Sequence, residues 1–334
     1  MKLTLDNIGI LNHAVVRLDV LTIIAGENDS GKSTVGKVLY ALIKTIRWAS
    51  NVQGAQDRER IYIKKFNDYI KKLFNNQITE SGVIAFEYEG ADFIVKIEKN
   101  RTVSFHFPEN FKNIEPKVTS PLLIDSPYIW QVLPSLKTIS TIEKDQLLGS
   151  DIDFEIPETL KDLYAAFSLK LKEGGADLAA IKTTIGGEFI ETQLGDFVFQ
   201  TNEQNIQLAN TAMGIKYLGI LQVLAKNHHL YAGQILILDE PEVHLHPNWQ
   251  LKLAQWIIEL AQKGIKVLVN SHSPYIIEAL QRYSEQSSLI KKTQFYLAEN
   301  GQILQNDQAL SEIFAKHSEP YAVFDQMDSE SLNG

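Results

Sequence analysis

The chain has 334 residues, of which 44% are hydrophobic and 22% charged, and its net charge is −9. This composition is typical of a soluble globular protein, and its acidity excludes a basic surface spread over the whole molecule. Because cysteine is absent, disulfides, zinc–thiolate sites and thiol nucleophiles are excluded. No apolar run is long enough for a membrane span and the first residues do not resemble a signal peptide, so we expect a cytoplasmic protein.

The first part of the chain predicts strands followed by amphipathic helices. Residues 2–10 and 14–25 read as strands, and the second ends in the apolar run LTIIAG. After Gly31, apolar side chains recur at the spacing of one helical face. A second, basic amphipathic helix is predicted in RIYIKKFNDYIKKLF.

The middle of the chain mixes strand and helix patterns. Residues 83–107 alternate apolar and polar side chains, interrupted by EGAD and KNR, which predicts a three-stranded meander. Residues 156–173 predict a helix that ends at the Gly174-Gly175 pair. The segment GGEFIETQLGDFVFQTN then returns to strand-like alternation.

The last third predicts a parallel sheet. Two apolar strands, 234–239 and 266–271, flank the helical pattern at 248–264, which is a βαβ unit. Asn300-Gly301 then predicts a hairpin, and a short helix follows from about Ser311.

The stretch GENDSGKST has the pattern of a phosphate-binding loop between a strand and a helix. Glycines allow successive backbone N–H groups to turn toward a phosphate, and the following helix directs its positive dipole end at the same place. Lys32 is placed to reach the β- and γ-phosphates of a nucleotide, and the Ser33 hydroxyl to bind Mg²⁺.

A pair of acidic residues follows the apolar strand ILILD. Asp239 is placed to support the Mg²⁺ shell opposite the Ser33 hydroxyl. Glu240 is placed to activate a water molecule for attack on the γ-phosphate, which favours hydrolysis over transfer to another substrate.

With GENDSGKST, LILDEPEVHLHP and VLVNSHSPYII in this order, the sequence resembles the ABC-type ATPase heads of the RecF/SMC/OLD kind. Among these it resembles the standalone AAA-type ATPases of bacterial antiphage and overcoming-lysogenization-defect systems. The resemblance is specific over residues 1–45 and 205–280. It implies ATP and Mg²⁺ as ligands, with Ser33 and Asp239 at the metal and Glu240, His272 and Lys32 in catalysis. The implied nucleotide-binding residues are Gly26, Asn28, Ser30, Gly31, Lys32, Ser33, Thr34 and Gly214.

The signature motif of this family, which closes on the nucleotide of a partner head, is the point at which the sequence departs. The best candidate is ANTAMGIKYLGIL, in which Gly214 matches the glycine of the motif. Ala212 stands where a phosphate-binding serine is usual, so Thr211, Lys216 or the backbone N–H groups of the helix start would have to act instead. We therefore expect slow, switch-like hydrolysis. The nearest candidate for the family's Q-loop residue is Gln131.

Two further patterns allow a functional and a simpler interpretation. His244 and His246, with Glu242 nearby, have the spacing of some metal sites, but no further ligands are evident and interface packing is the alternative. The lysines of residues 64–72 are interleaved with aromatic residues, as in nucleic-acid-binding segments, but a solvated helix face explains them at least as well.

The fold class we predict is α/β: a P-loop ABC-type ATPase head with a mixed, largely parallel core sheet, an antiparallel β subdomain and an inserted helical lobe. The nucleotide-binding core is assigned to residues 1–45 and 205–310, the insertion to 46–204 and the closing helix and tail to 311–334.

The resemblance implies an ATP-hydrolysing regulatory subunit, which forms a homodimer around nucleotide and controls an effector protein such as a nuclease or toxin, in antiphage defence. The chain has too few residues after NSHSPYII for the nuclease domain that larger members carry. We therefore expect the effector to be a separate protein. Two alternatives remain open: an ATP-dependent scaffold with negligible turnover, and a DNA repair or recombination ATPase that contacts nucleic acid.

Overall fold

The structure is a computed structural model, which describes residues 1–50, 58–106, 119–136, 156–172, 175–176, 179–193, 195–305 and 309–332. The strands are β1 (Lys2–Ile8), β2 (Leu11–Arg17), β3 (Leu21–Gly26), β4 (Ser81–Tyr88), β5 (Ala91–Glu98), β6 (Arg101–His106), β7 (Leu122–Ile124), β8 (Glu188–Glu191), β9 (Phe197–Gln200), β10 (Asn205–Gln207), β11 (Ile235–Asp239), β12 (Lys266–Ser271), β13 (Thr293–Glu299) and β14 (Gln302–Leu304). The helices are α1 (Lys32–Ser50), α2 (Arg58–Leu73), α3 (Glu158–Ser168), α4 (Ala179–Ile185), α5 (Met213–Lys226), α6 (Pro247–Gln262), α7 (Pro274–Gln286) and α8 (Ala309–Leu332).

One large mixed sheet organises the described part of the chain. Its strand order is β6-β5-β4-β1-β2-β14-β13-β3-β12-β11-β7. The half from β13 to β7 is parallel, since β3 pairs in parallel with both β12 and β13, and β11 with both β12 and β7. The other half is largely antiparallel and includes the β4–β5–β6 meander. A separate three-stranded sheet contains β10, β9 and β8.

Helices cover both faces of the parallel half, which explains why its strands are almost entirely apolar. Alternate residues of a strand point to opposite faces, and the two hydrophobic clusters divide the strands accordingly. Leu236 and Leu238 pack with α5, α6 and α7, whereas Ile235 and Ile237 pack with α1 and α2. No helix within the described ranges is both long and apolar enough to cross a membrane.

An aromatic cluster joins the small sheet to the start of α5. Trp130 lies 4.6 Å from Phe189 and 4.9 Å from Phe167, measured between ring centroids. Its indole N–H donates to the carbonyl oxygen of Lys216 at 2.7 Å. The buried rings and this hydrogen bond fix the first turns of α5 against the segment that follows β7.

Most of the predicted elements are confirmed. The mixed α/β fold, the meander, the parallel pair β11–β12 around α6 and the hairpin β13–β14 are all present. The division of the chain at residues 46 and 204 stays a prediction. Within the segment between those residues, β7 lies at the edge of the core sheet, beside β11.

Three predicted boundaries are wrong. The predicted strand 14–25 is two strands, because β2 pairs antiparallel with β1 whereas β3 lies further along the sheet between β12 and β13. The helix predicted over 156–173 ends at Ser168, where Leu169 adopts an extended conformation. The short helix expected from about Ser311 is the much longer α8, which continues through Pro320 to Leu332 with no glycine stop before its end.

Candidate active site

The predicted site residues converge where the parallel strands end. The loops that follow β3, β11, β12 and β7 leave the same edge of the sheet, because these strands are parallel neighbours. In open α/β sheets this edge is the usual place for a ligand. The phosphate-binding loop, the Asp239-Glu240 pair and His272 all lie on these loops.

The phosphate-binding loop has the backbone that its glycines predict. Gly31 has a φ of 93°, and a side chain there would meet Leu11 at 2.4 Å. Gly26 is equally confined, since a Cβ would lie 2.5 Å from the carbonyl oxygen of Ala298. Of the other predicted contacts, Asn28 is exposed, Ser30 is half-buried and Thr34 is buried at the start of α1. The loop therefore holds a turn of free backbone N–H groups at a helix N-terminus, as phosphate binding requires.

Lys32 lies under this loop. Its side chain is nearly inaccessible, and its Nζ donates to the carbonyl oxygens of Gly26, at 2.9 Å, and Glu27. Burial lowers its pKa, and the negative charges of Glu240 and Asp239 oppose that change. A phosphate placed over the loop would supply the strong negative partner that the buried ammonium lacks.

Ser33 and Asp239 form the pair expected of a Mg²⁺ site. The Ser33 hydroxyl donates to Oδ1 of Asp239 at 3.0 Å, across the gap between α1 and β11. The amide of Asn270, on β12, donates to the same carboxylate oxygen at 2.8 Å and fixes its orientation. Hydroxyl and carboxylate oxygens are the ligands that Mg²⁺ prefers, so the residues present fit this ion.

Glu240 has a backbone conformation that is unusual for its residue type. Its φ is 50°, in the left-handed region, and its N–H donates to the carbonyl oxygen of Asn270 at 2.9 Å. Its side chain remains about one-third exposed and helps to line the cavity over the phosphate-binding loop. Strained backbone of this kind is concentrated at functional sites, where it directs a side chain toward its ligand.

His272 lies between two carboxylates. Its Nδ1 is 3.6 Å from Glu240 Oε1 and 3.4 Å from Glu242 Oε1. The negative charge of both carboxylates favours a ring orientation in which the Nδ1 of His272, and not a ring carbon, lies next to them. The structure thus brings His272 to the site that the resemblance implies, directly beside Glu240.

Glu242 is the residue whose position sequence reasoning missed, since it was considered only as a possible metal ligand. Its carboxylate is buried, and its Oε1 accepts from the Ser271 hydroxyl at 2.7 Å and from the N–H groups of His272 and Ser273 at 3.0 and 3.2 Å. Glu242 therefore holds the loop that carries His272. The sequence signal for this role was its position two residues after Glu240 in DEPE, which places it just after the end of the same strand, β11.

The start of α5 lies beside this loop. Gly214 is buried, and a Cβ there would lie 2.7 Å from the carbonyl oxygen of His244. Thr211 donates its hydroxyl to the carbonyl oxygen of Gln207, and Lys216 is buried. Ala212 is exposed at the N-cap and supplies no side-chain cap. The first N–H groups of α5 consequently lack a side-chain acceptor from their own N-cap residue.

Replacing Ala212 by serine should stabilise the protein. The N-cap backbone already has φ −60° and ψ 145°, so a serine hydroxyl would accept from an N–H of the first turn. We expect the free energy of unfolding, measured by urea denaturation, to rise by about 1 kcal/mol. The matched control is Ala165→Ser, an exposed position inside α3, which should lower it by about 0.5 kcal/mol. A decrease for Ala212→Ser would contradict the uncapped start of α5.

The segment after β7 places an acid, not a glutamine, next to the site. Asp125 follows β7 directly, and burial together with the charge of Asp239 raises its pKa. Gln131 lies further on, exposed, in the helical segment 129–136. Asp125 and Glu240 both line a cavity of about 340 Å³.

The two motifs with alternative interpretations lie just before α6 and on α2. His246 is the N-cap of α6 and accepts from the N–H of Asn248, and no group of three or more metal-ligating side chains occurs in the described part of the chain. Of the lysines on α2, Lys72 is paired with Glu158 at 3.1 Å and Lys65 lies over the Trp48 ring.

Comparisons with known proteins agree with this fold. Residues 136–278 match a domain family described as "AAA domain, putative AbiEii toxin, Type IV TA system". No curated protein matches the chain. A solved SMC head bound to the C-terminal winged-helix domain of ScpA matches with a TM-score of 0.52 and 12% identity, over 91% of this chain and 97% of that one.

Two further solved structures match with lower TM-scores. The SMC head domain of Thermotoga maritima has a TM-score of 0.46 at 13% identity, over 92% and 98% of the two chains. The ADP conformation of an ATP-binding cassette from an ABC transporter has a TM-score of 0.41 at 14% identity, over 97% of each chain.

Proposed function

We propose that this chain, a P-loop ATPase head of the ABC type and of the RecF/SMC kind, closes as a homodimer around ATP and Mg²⁺ and controls an effector protein in antiphage defence. The observation that carries the proposal is the Ser33–Asp239 pair with Glu240 beside it, at the mouth of the phosphate-binding loop. This arrangement combines a place for the phosphates and the metal with a general base for water.

Each residue has a defined part in this activity. The N–H groups of the loop from Gly26 to Thr34 hold the phosphates, and Lys32 turns from the loop carbonyls to the β- and γ-phosphates. Bound Mg²⁺, held by Ser33 and Asp239, would neutralise charge on the phosphates. Glu240 takes a proton from the attacking water, and His272 donates a hydrogen bond to a γ-phosphate oxygen.

The proposed dimer is supported by what a single head lacks. Its own loop supplies contacts to one side of the nucleotide, whereas the start of α5, with its N-cap residue Ala212 exposed, would direct its positive dipole end to a second copy. Closing two heads would thus place the start of each α5 near the other head's γ-phosphate. The missing serine at Ala212 favours slow turnover.

Control of an effector is supported by the relatives. The matched family description includes a putative toxin, and the similar SMC head was solved bound to the winged-helix domain of ScpA. A head of this kind transmits its open or closed state to another protein. The effector we propose is a nuclease or toxin, and the compartment is the cytoplasm.

The test is the solution mass of Glu240→Gln measured by light scattering, with and without ATP and Mg²⁺. The variant retains the binding residues but loses the general base, so the closed state should accumulate and the mass should double only with ATP. A Lys32→Met Glu240→Gln double variant is the matched control and should remain at the mass of one chain. A Glu240→Gln protein that stays monomeric with ATP would overturn the proposed dimer.

A scaffold with negligible turnover is the second candidate, favoured by Ala212. It predicts the same doubling of mass for the unmodified protein and for Glu240→Gln, with ATP retained for hours. Measurable phosphate release, lost in Glu240→Gln, would exclude it.

A further inference from the structure

The start of α5 is in direct backbone contact with the loop that follows Glu240. Gly214 leaves no room for a side chain, since a Cβ would lie 2.7 Å from the carbonyl oxygen of His244 and 3.0 Å from the Leu245 side chain. Glu242 lies on the same loop. A shift of α5 must therefore displace this loop or be accommodated by it, because packed interiors transmit small displacements.

Four buried polar atoms in this region lack hydrogen-bond partners among the described residues, two of which are Oδ1 of Asn270 and Nδ1 of His272. The other two are Oε2 of Glu242 and the hydroxyl of Tyr217, one turn into α5. Tyr217 is 2% exposed and Glu242 4%. A buried polar atom left without a partner is costly, so each of these atoms gains from any motion that supplies one.

The two groups are complementary, and they lie on the two elements that meet where Gly214 contacts His244. A tyrosine hydroxyl donates and a carboxylate oxygen accepts. The negative charge of Glu242 is the largest electrostatic contribution to the raised pKa of Tyr217, after burial itself. Tyr217 also lines the 340 Å³ cavity that Glu240 and His244 share, so its side chain borders space that packed atoms do not fill.

The other oxygen of Glu242, Oε1, is already hydrogen-bonded to the loop that carries His272. Oε1 accepts from the N–H groups of His272 and Ser273 and from the Ser271 hydroxyl. A change in the position of this carboxylate therefore moves His272 relative to Glu240, from which its Nδ1 is now 3.6 Å away.

We propose that Tyr217 and Glu242 form a relay between the start of α5 and His272. When the partner head's nucleotide binds the start of α5, the helix shifts and the Tyr217 hydroxyl donates to Oε2 of Glu242. The carboxylate then sets His272 against the γ-phosphate of its own head. Tyr217 and Glu242 are positioning residues, and they make hydrolysis in one site depend on engagement with the other. This inference rests on the proposed nucleotide-closed dimer.

The test is Tyr217→Phe, which removes only a hydroxyl that has no partner among the described residues. We expect the thermal stability of the nucleotide-free protein to be unchanged or higher, because the hydroxyl has no partner there. The Kd for ATP should also be unchanged, because the hydroxyl is not one of the groups that bind the nucleotide. Turnover at saturating ATP should fall about tenfold, which is the usual effect of losing a hydrogen bond to a charged group. Tyr283→Phe, a half-buried tyrosine on α7, is the matched control and should turn over normally.

A double-mutant cycle separates the relay from a general structural role. Glu242→Gln keeps an oxygen for the three donors of the His272 loop but offers Tyr217 an amide in place of the second oxygen. The double variant should lose no more turnover than either single variant, since both changes break the same contact. Additive losses, or a Tyr217→Phe protein with unchanged turnover, would overturn the relay.

If Glu240→Gln dimerises with ATP while Tyr217→Phe turns over normally, the relay alone fails. If Glu240→Gln remains monomeric, the proposed dimer and the relay fail together.

Discussion

Replacing Lys32 by methionine should abolish ATP binding while leaving the fold intact. Methionine retains the apolar stem that packs under the loop, but it removes the only cation whose Nζ lies within hydrogen-bond reach of the loop carbonyls that face the site, among the described residues. Each charge-assisted hydrogen bond to a phosphate contributes about 1.5–3 kcal/mol, so losing two of them weakens binding by at least about a hundredfold.

Thermal denaturation with and without ATP and Mg²⁺ measures this directly. At an ATP concentration a hundred times the Kd of the unmodified protein, that protein should gain about 2.7 kcal/mol of stability, and Lys32→Met should gain at most about 0.4 kcal/mol. Lys252→Met, at an exposed position on α6, is the matched control and should respond like the unmodified chain. Stabilisation by ATP that survives in Lys32→Met would show that the nucleotide binds elsewhere.

The phosphate-binding loop and the parallel strands were predictable because their physical requirements are local. A loop that turns several N–H groups toward one anion needs glycines at fixed places, and Gly26 and Gly31 meet this need by their close contacts with Ala298 and Leu11. The apolar strand ILILD likewise indicates burial on both faces, which occurs in a sheet covered by helices. The position of Asp239 and Glu240 at its end follows from the strand alone.

Other features depend on contacts distant in sequence and were not predictable. The role of Glu242 requires that β12 lie beside β11, so that the N–H groups of His272 and Ser273 reach its carboxylate. The break between β2 and β3 depends on the pairing of β3 with β12 and β13, which a continuous apolar pattern does not disclose. Asp125 is near Asp239 only because β7, more than a hundred residues earlier in the chain, pairs with β11.

Replacing Glu240 by glutamine should separate ATP binding from ATP hydrolysis. Glutamine has nearly the same size, and the backbone N–H that donates to Asn270 is retained, so the strained turn at φ 50° should persist. The amide cannot accept a proton from water, and the loss of a general base typically lowers turnover by about 10²–10⁴-fold. The Kd for ATP should remain unchanged, because Lys32, Ser33 and the loop N–H groups still bind the phosphates.

The measurement is phosphate release at saturating ATP, together with the Kd from equilibrium titration. Glu203→Gln, an exposed position in the loop between β9 and β10, is the matched control and should leave both quantities unchanged. Unchanged turnover in Glu240→Gln would remove this residue from the mechanism and leave His272 or Glu242 as the acid–base group. A hundredfold loss at constant Kd corresponds to about 2.7 kcal/mol of transition-state stabilisation. Such a loss would identify Glu240 as the general base of ATP hydrolysis and separate hydrolysis from ATP binding.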